Sequence, residues 1–277
     1  MRCTQVHVSG RGDSRRVHHD RRPVNLHDMR TLLAAIDLWF ATIFLAPIAV
    51  VASMLGFHDE KRGQVQHWCM RTWARSLCFA SGVKVVVHGS ENISRGGPGT
   101  VYASNHVSWY DIFAIASVLP GYTFVAKAEL RKIPIFGWGA EGAGVVFLAR
   151  ENRKSAFEAY ETVAKKIERG LNVVVYPEGT RSSDYALRRF KKGPFVLAIA
   201  AGAPVVPVVV FGSREVMPRD SFRVRSGTVH VHLLEPVPTT GYDYEHRHEL
   251  MRIVWDRMAD ALRVHHGVQS VGDPVEV

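Results

Sequence analysis

The chain has 277 residues and a mass of 30.9 kDa, and 35 lysines and arginines against 26 acidic residues give a formal net charge of +9. With 47% hydrophobic and 22% charged residues the composition is globular; it excludes a disordered chain, a collagen-like chain and a polytopic membrane protein. The basic balance predicts an anionic partner, and three cysteines without Cys-x-x-Cys spacing (Cys3, Cys69, Cys78) speak against a disulfide framework or a zinc module and fit a reducing compartment.

Residues 1–30 form a polar arm rich in arginine (Arg2, Arg11, Arg15, Arg16, Arg21, Arg22, Arg30), with the pair His18-His19. Such a composition predicts disorder, and its histidines lack the cysteine or carboxylate spacing of a metal site. Residues 31–80 are expected to associate with a membrane. Within them, 38–57 carry no charge, and twenty helical residues cover roughly 30 Å, the hydrocarbon thickness of a bilayer. Pro47 sits inside this run and is expected to kink or break it. Basic residues lie on both flanks (Arg21, Arg22 and Arg30 before; Lys61, Arg62, Arg71 and Arg75 after). Both flanks on one anionic leaflet favour a re-entrant hairpin turning at Pro47 over a straight span. Residues 62–80 then place Val65, Trp68, Cys69, Trp73, Leu77 and Cys78 at helical spacing.

Residues 81–240 alternate short apolar runs with helical stretches. Strands are expected at Lys84–Val87, Thr100–Ala103, Thr123–Ala126, Val145–Leu148, Asn172–Tyr176, Val205–Val210 and Thr228–Leu234. Their near-continuous valine content suits strands buried on both faces. Helices are expected at Trp109–Val118, Lys154–Arg169 and Phe195–Ala201. The alternation predicts an α/β fold with a largely parallel central sheet of about seven strands flanked by helices. The remainder, 241–277, reads as an amphipathic helix over Tyr244–His265 and a tail.

Two constellations carry chemistry. Asn105-His106-Val107-Ser108-Trp109-Tyr110-Asp111 follows one strand and opens a helix, which puts His106 outside the sheet end where α/β proteins collect ligands. Asp111 falls in the first helical turn, where the dipole favours a carboxylate. It is placed to orient one imidazole nitrogen and leave the other as a proton acceptor. This is the base and orienter of a hydrolytic triad without its nucleophile, which suffices if the substrate brings its own hydroxyl. The second is Tyr176-Pro177-Glu178-Gly179-Thr180-Arg181, a rigid turn at another strand end. Arg150, at the end of Gly144–Arg150, and Arg181 would share an edge and suit a phosphate monoester, with Lys127 as a third positive charge.

These residues bring a resemblance with them. The chain resembles the lysophosphatidic acid acyltransferase (1-acylglycerol-3-phosphate O-acyltransferase) family of glycerolipid acyltransferases. Matching blocks stand in order at Asn105–Asp111 (the family's HX4D motif), Gly144–Arg150, Pro177–Ser182 and Val206–Val208. Lys127–Leu130, Ile133–Gly137 and Phe190–Gly193 resemble its connecting segments, so coverage runs over about 83–235. Tyr176 departs from the family's usual Phe before Pro-Glu-Gly.

The resemblance implies a membrane-bound enzyme of phospholipid biosynthesis that moves a fatty acyl group from an acyl thioester, acyl-CoA or acyl carrier protein, to 1-acylglycerol 3-phosphate, giving phosphatidate. His106 and Asp111 would be catalytic. Arg150, Glu178, Gly179, Thr180 and Arg181 would bind the substrate, with Lys127. No cofactor and no metal are implied, and the catalytic domain would face the cytoplasm. Another lysolipid, ornithine-derived among them, or glycerol 3-phosphate is the alternative acceptor; the Gly-Thr-Arg form at 179–181 favours lysophosphatidate over glycerol 3-phosphate. A non-catalytic lipid-binding protein of the same fold is disfavoured by the intact His106/Asp111 and Glu178/Arg181. A nucleic-acid partner ranks last, because no binding motif accompanies the charge.

Overall fold

The computed structural model describes residues 26–56, 64–94, 99–148, 153–272 and 274. The elements, in chain order, are α1 (Leu26–Met54), α2 (Gln64–Ser81), β1 (Val83–His88), β2 (Val101–Ser104), α3 (Tyr110–Val118), β3 (Tyr122–Lys127), α4 (Phe136–Gly142) and β4 (Val146–Leu148). They continue with α5 (Arg153–Glu168), β5 (Asn172–Val175), α6 (Gly193–Ala200), β6 (Val205–Phe211), α7 (Ser213–Val216), β7 (Gly227–Leu233) and α8 (Arg247–His266).

The seven strands form one sheet in the order β1-β7-β6-β2-β5-β3-β4. Every neighbouring pair is parallel except β6–β7, so β1 and β7 run against the other five. The β6–β7 connection holds only the four-residue α7, too little helix for a crossover back to a parallel strand. Val101 of β2 lies in register with Val173 of β5 and Val205 of β6, and all three are fully buried. β-branched side chains stacked this way fit a sheet covered on both faces. One face packs on α5, α6 and α8, through Val163, Ile167, Phe195, Leu250, Val254 and Met258. The other packs on α2 and α3, through Ala74, Leu77, Phe113 and Ile115.

The N-terminal helix corrects the expected hairpin. α1 runs unbroken for 29 residues with Pro47 inside it. Pro47 removes one helical hydrogen bond, but the same turn is held from outside. A Cβ on Gly139 of α4 would lie 2.5 Å from the Ala46 Cβ, and one on Gly142 would lie 2.9 Å from the Val50 Cα. Only glycine lets α4 come this close, so packing replaces the lost bond and the helix continues. α1 also begins before its apolar run, because its polar residues face protein. Arg30 donates to the Ser81 carbonyl (3.3 Å), Ser76 Oγ to Asp37 (3.0 Å) and Trp73 Nε1 to Thr42 Oγ1 (3.0 Å). These pairings lay α1 antiparallel along α2. Its opposite stripe is bare: Trp39, Phe40, Phe44 and Met54 are 60–81% exposed. α1 is long and apolar enough to cross a membrane, and a contiguous apolar stripe of this size marks a membrane-associating surface. The expected basic arm lies, up to residue 25, outside the described residues.

Candidate active site

The site is assembled where β2 and β5, neighbours running in parallel, both end. β2 does not stop at its last ladder bond. The Asn105 side chain donates to the Val210 carbonyl (3.0 Å) and accepts from the Val210 amide (2.7 Å). A side-chain amide thus makes the next rung to β6 while the backbone is freed to turn, and His106 is delivered at the sheet rim.

His106 Nδ1 lies 2.8 Å from Asp111 Oδ2. Asp111 is fully buried and also accepts from the amides of Val107 (2.7 Å) and Ser108 (2.8 Å) at Oδ2, and from Ser213 Oγ at Oδ1 (2.5 Å). Four donors on one carboxylate suit its ionised form. Such a partner accepts, so Nδ1 carries the imidazole proton and Nε2 is the basic nitrogen. The His106 side chain retains 13% exposure, and the ring of Tyr176 stacks on it at 4.0 Å and 20°.

The β5 turn is tied to the same residue. Glu178 Oε1 accepts from the His106 amide (3.1 Å), and the Ser182 amide donates to the His106 carbonyl (2.7 Å). Glu178 is 5% exposed and its Oε2 has no partner among the described residues. Burial pushes its carboxyl up to about 8, against the lowering effect of the His106 and Arg188 amides. Gly179 turns the chain at a φ of 76°, and Thr180 is exposed at the turn. Arg181 donates to the Arg219 carbonyl (3.1 Å), and its guanidinium lies over the Trp109 ring, 4.8 Å from the centroid.

The structure therefore brings His106, Asp111, Glu178 and Arg181 together, Arg181 reaching from the β5 turn over Trp109 of the loop that carries the imidazole–carboxylate pair. The Glu178 carboxyl points inward, its Oε1 on the His106 amide. Lys127 is exposed at the carboxyl end of β3, next to β5 on the same edge of the sheet. Arg150 lies outside the described residues. Sequence reading missed Ser213, and it named Asn105 in the motif without a role; their partners are 102 and 105 residues away. The only local signal for Ser213 is a Gly-Ser step after a strand, a helix-start pattern. It also missed Tyr185, whose hydroxyl accepts from the Gly212 and Arg214 amides (2.8 and 3.0 Å) and so anchors α7, which presents Ser213.

Residues 84–211 match the Acyltransferase family model. The chain is 33% identical over 198 residues to the lyso-ornithine lipid O-acyltransferase of Pseudomonas aeruginosa, covering 66% of this chain and 73% of that one. It is 34% identical over 180 residues to a chloroplastic 1-acyl-sn-glycerol-3-phosphate acyltransferase of Brassica napus, covering 65% of this chain. The chain belongs to the lysophosphatidic acid acyltransferase family. Among solved structures, the 1-acyl-sn-glycerophosphate acyltransferase PlsC of Thermotoga maritima superposes with a TM-score of 0.72 at 29% identity, over 89% of this chain and all of that one. The chain spans about half the length (52%) of the Brassica family member.

Proposed function

We propose that this chain transfers a fatty acyl group from an acyl thioester to the free hydroxyl of 1-acylglycerol 3-phosphate, giving phosphatidate. The observation that carries the reading is the His106–Asp111 pair at 2.8 Å, with Nε2 left basic at a partly open rim. Nε2 takes the hydroxyl proton as the oxygen attacks the thioester carbonyl. The tetrahedral intermediate expels the thiolate, and the imidazolium returns the proton to it. Asp111 holds the ring and offsets its positive charge.

Transfer is direct, without an acyl-enzyme. The serine hydroxyls around the pair are engaged: Ser108 Oγ donates to the Met217 carbonyl (2.7 Å), Ser213 to Asp111, and Ser182 Oγ accepts from Arg188 (2.8 Å). Cys69 and Cys78 are buried in α2, and burial pushes the Cys78 thiol up to about 12. A protonated buried thiol is no nucleophile.

Arg181, with Lys127 and Arg150, binds the acceptor phosphate, and Glu178 positions His106 by holding its amide. The outward stripe of α1 enters one anionic leaflet on the cytoplasmic side, beside which the basic domain is held. The donor is acyl-CoA or acyl carrier protein. A lyso-ornithine lipid is the second acceptor to weigh, because of the Pseudomonas relative. The test is an acyl-transfer assay on the full chain in lipid vesicles with lysophosphatidate, lyso-ornithine lipid and glycerol 3-phosphate. Lysophosphatidate should turn over fastest, and preference for another acceptor would overturn the substrate assignment. His106→Ala should cost at least roughly 10²–10⁴-fold in turnover. Arg181→Ala should raise KM for lysophosphatidate about tenfold or more while leaving the donor KM in place.

A further inference from the structure

Five histidines gather on the sheet face that carries α8, away from His106, which is flanked by Tyr176 and α3 on the other face. His88 ends β1; His230 and His232 are alternate residues of β7; His265 and His266 end α8. His88 and His232 are register partners across β1–β7, and their rings stack at 4.3 Å and 10°. His88 Nε2 and His230 Nδ1 are 3.1 Å apart, and His232 Nε2 and His266 Nε2 are 3.0 Å apart. One nitrogen from each of His88, His230 and His232 falls within 4.8 Å of the others.

We propose that His88, His230 and His232 bind a divalent transition cation of the zinc class, with His266 as the fourth donor. Imidazole sets are the ligands such ions take. Zn–N bonds of roughly 2.0–2.1 Å at tetrahedral angles put ligand nitrogens about 3.3 Å apart. Two of the observed separations are already near that value, and side-chain rotation closes the rest. None of the five is ion-paired with a carboxylate among the described residues. The outer shell is built as well, since Phe211 stacks on His266 at 3.9 Å and 6°. The bound ion would tie the β1–β7 pair, which meets the other strands only through β6, to the end of the last helix.

The experiment is a Co²⁺ and Zn²⁺ titration of the full chain, without an affinity tag, in detergent micelles. Wild type should take up one Co²⁺ with the visible absorption of a tetrahedral nitrogen site, Zn²⁺ should displace it, and Zn²⁺ should raise Tm. H88Q and H230Q should weaken binding by at least the roughly 10–100-fold that an outer-shell partner alone costs, and should abolish the Tm rise. H18Q/H19Q, altering other histidines, should leave both unchanged. His88 is exposed at a strand end, so H88Q is expected to fold even where H230Q does not. Absence of the Co²⁺ band in wild type, or undiminished binding in H88Q, overturns the proposal.

Discussion

Two buried carboxylates sit on either side of His106, Asp111 at the start of α3 and Glu178 in the turn after β5. Asp111 collects four donors, one of them the imidazole itself. Glu178 accepts from the His106 amide but leaves Oε2 unpartnered, and its carboxyl is pushed up to about 8. Burial is nearly equal; the supply of N–H and O–H groups is not. The pair shows how unequally two carboxylates at the same depth can be supplied with hydrogen-bond donors, and a buried carboxyl short of donors favours its neutral form. Under the proposed mechanism it also divides the labour, a donor-saturated carboxylate behind the base and a group largely neutral at pH 7 supporting the backbone.

Asp111→Asn breaks the contrast most severely. An amide can present its NH₂ to Nδ1 and select the wrong tautomer. Turnover should fall about 10²–10⁴-fold with the fold intact by circular dichroism, and near-normal activity would refute the orienting role. Glu178→Gln tests the other side. A carboxyl held above its ordinary 4.5 stabilises the fold in its protonated form, and that contribution is lost as pH rises towards and through about 8. Glutamine cannot ionise, so the variant should gain stability relative to wild type as pH rises from 5 to 9 in denaturant melts. An identical slope for both proteins would mean that Glu178 ionises freely. Tyr176→Phe should have the smallest effect. The Tyr176 hydroxyl is buried without a partner among the described residues, so its removal should leave activity unchanged and stability equal or about 1 kcal/mol higher. A loss of stability would show that the hydroxyl is bonded.

The apolar, largely valine-rich runs mark all seven strands to within a residue or two; in the central β2, β5 and β6, buried on both faces, no other signal is needed. The His106–Asp111 link is legible because it is local, made across one strand–helix turn. Ser213, which completes the carboxylate's shell, and Asn105, which splices β2 to β6, are invisible to spacing because topology alone brings their partners near. The same holds for His88 and His230, 142 residues apart. Pro47 misled for a related reason: the turn it weakens is repaired by α4, which is distant in the chain and touches α1 only in the fold.

That repair has a consequence for how a lipid is handled. With no room for even a methyl group between α4 and α1, the greasy N-terminal rod and the edge of the sheet beyond it travel as one piece. With α1 in the leaflet as proposed above, the height of His106 above the headgroups is fixed by the protein, like a blade set at one depth. The proposed lipid acceptor would then rise only far enough to offer its hydroxyl, while its tail need never leave the oil.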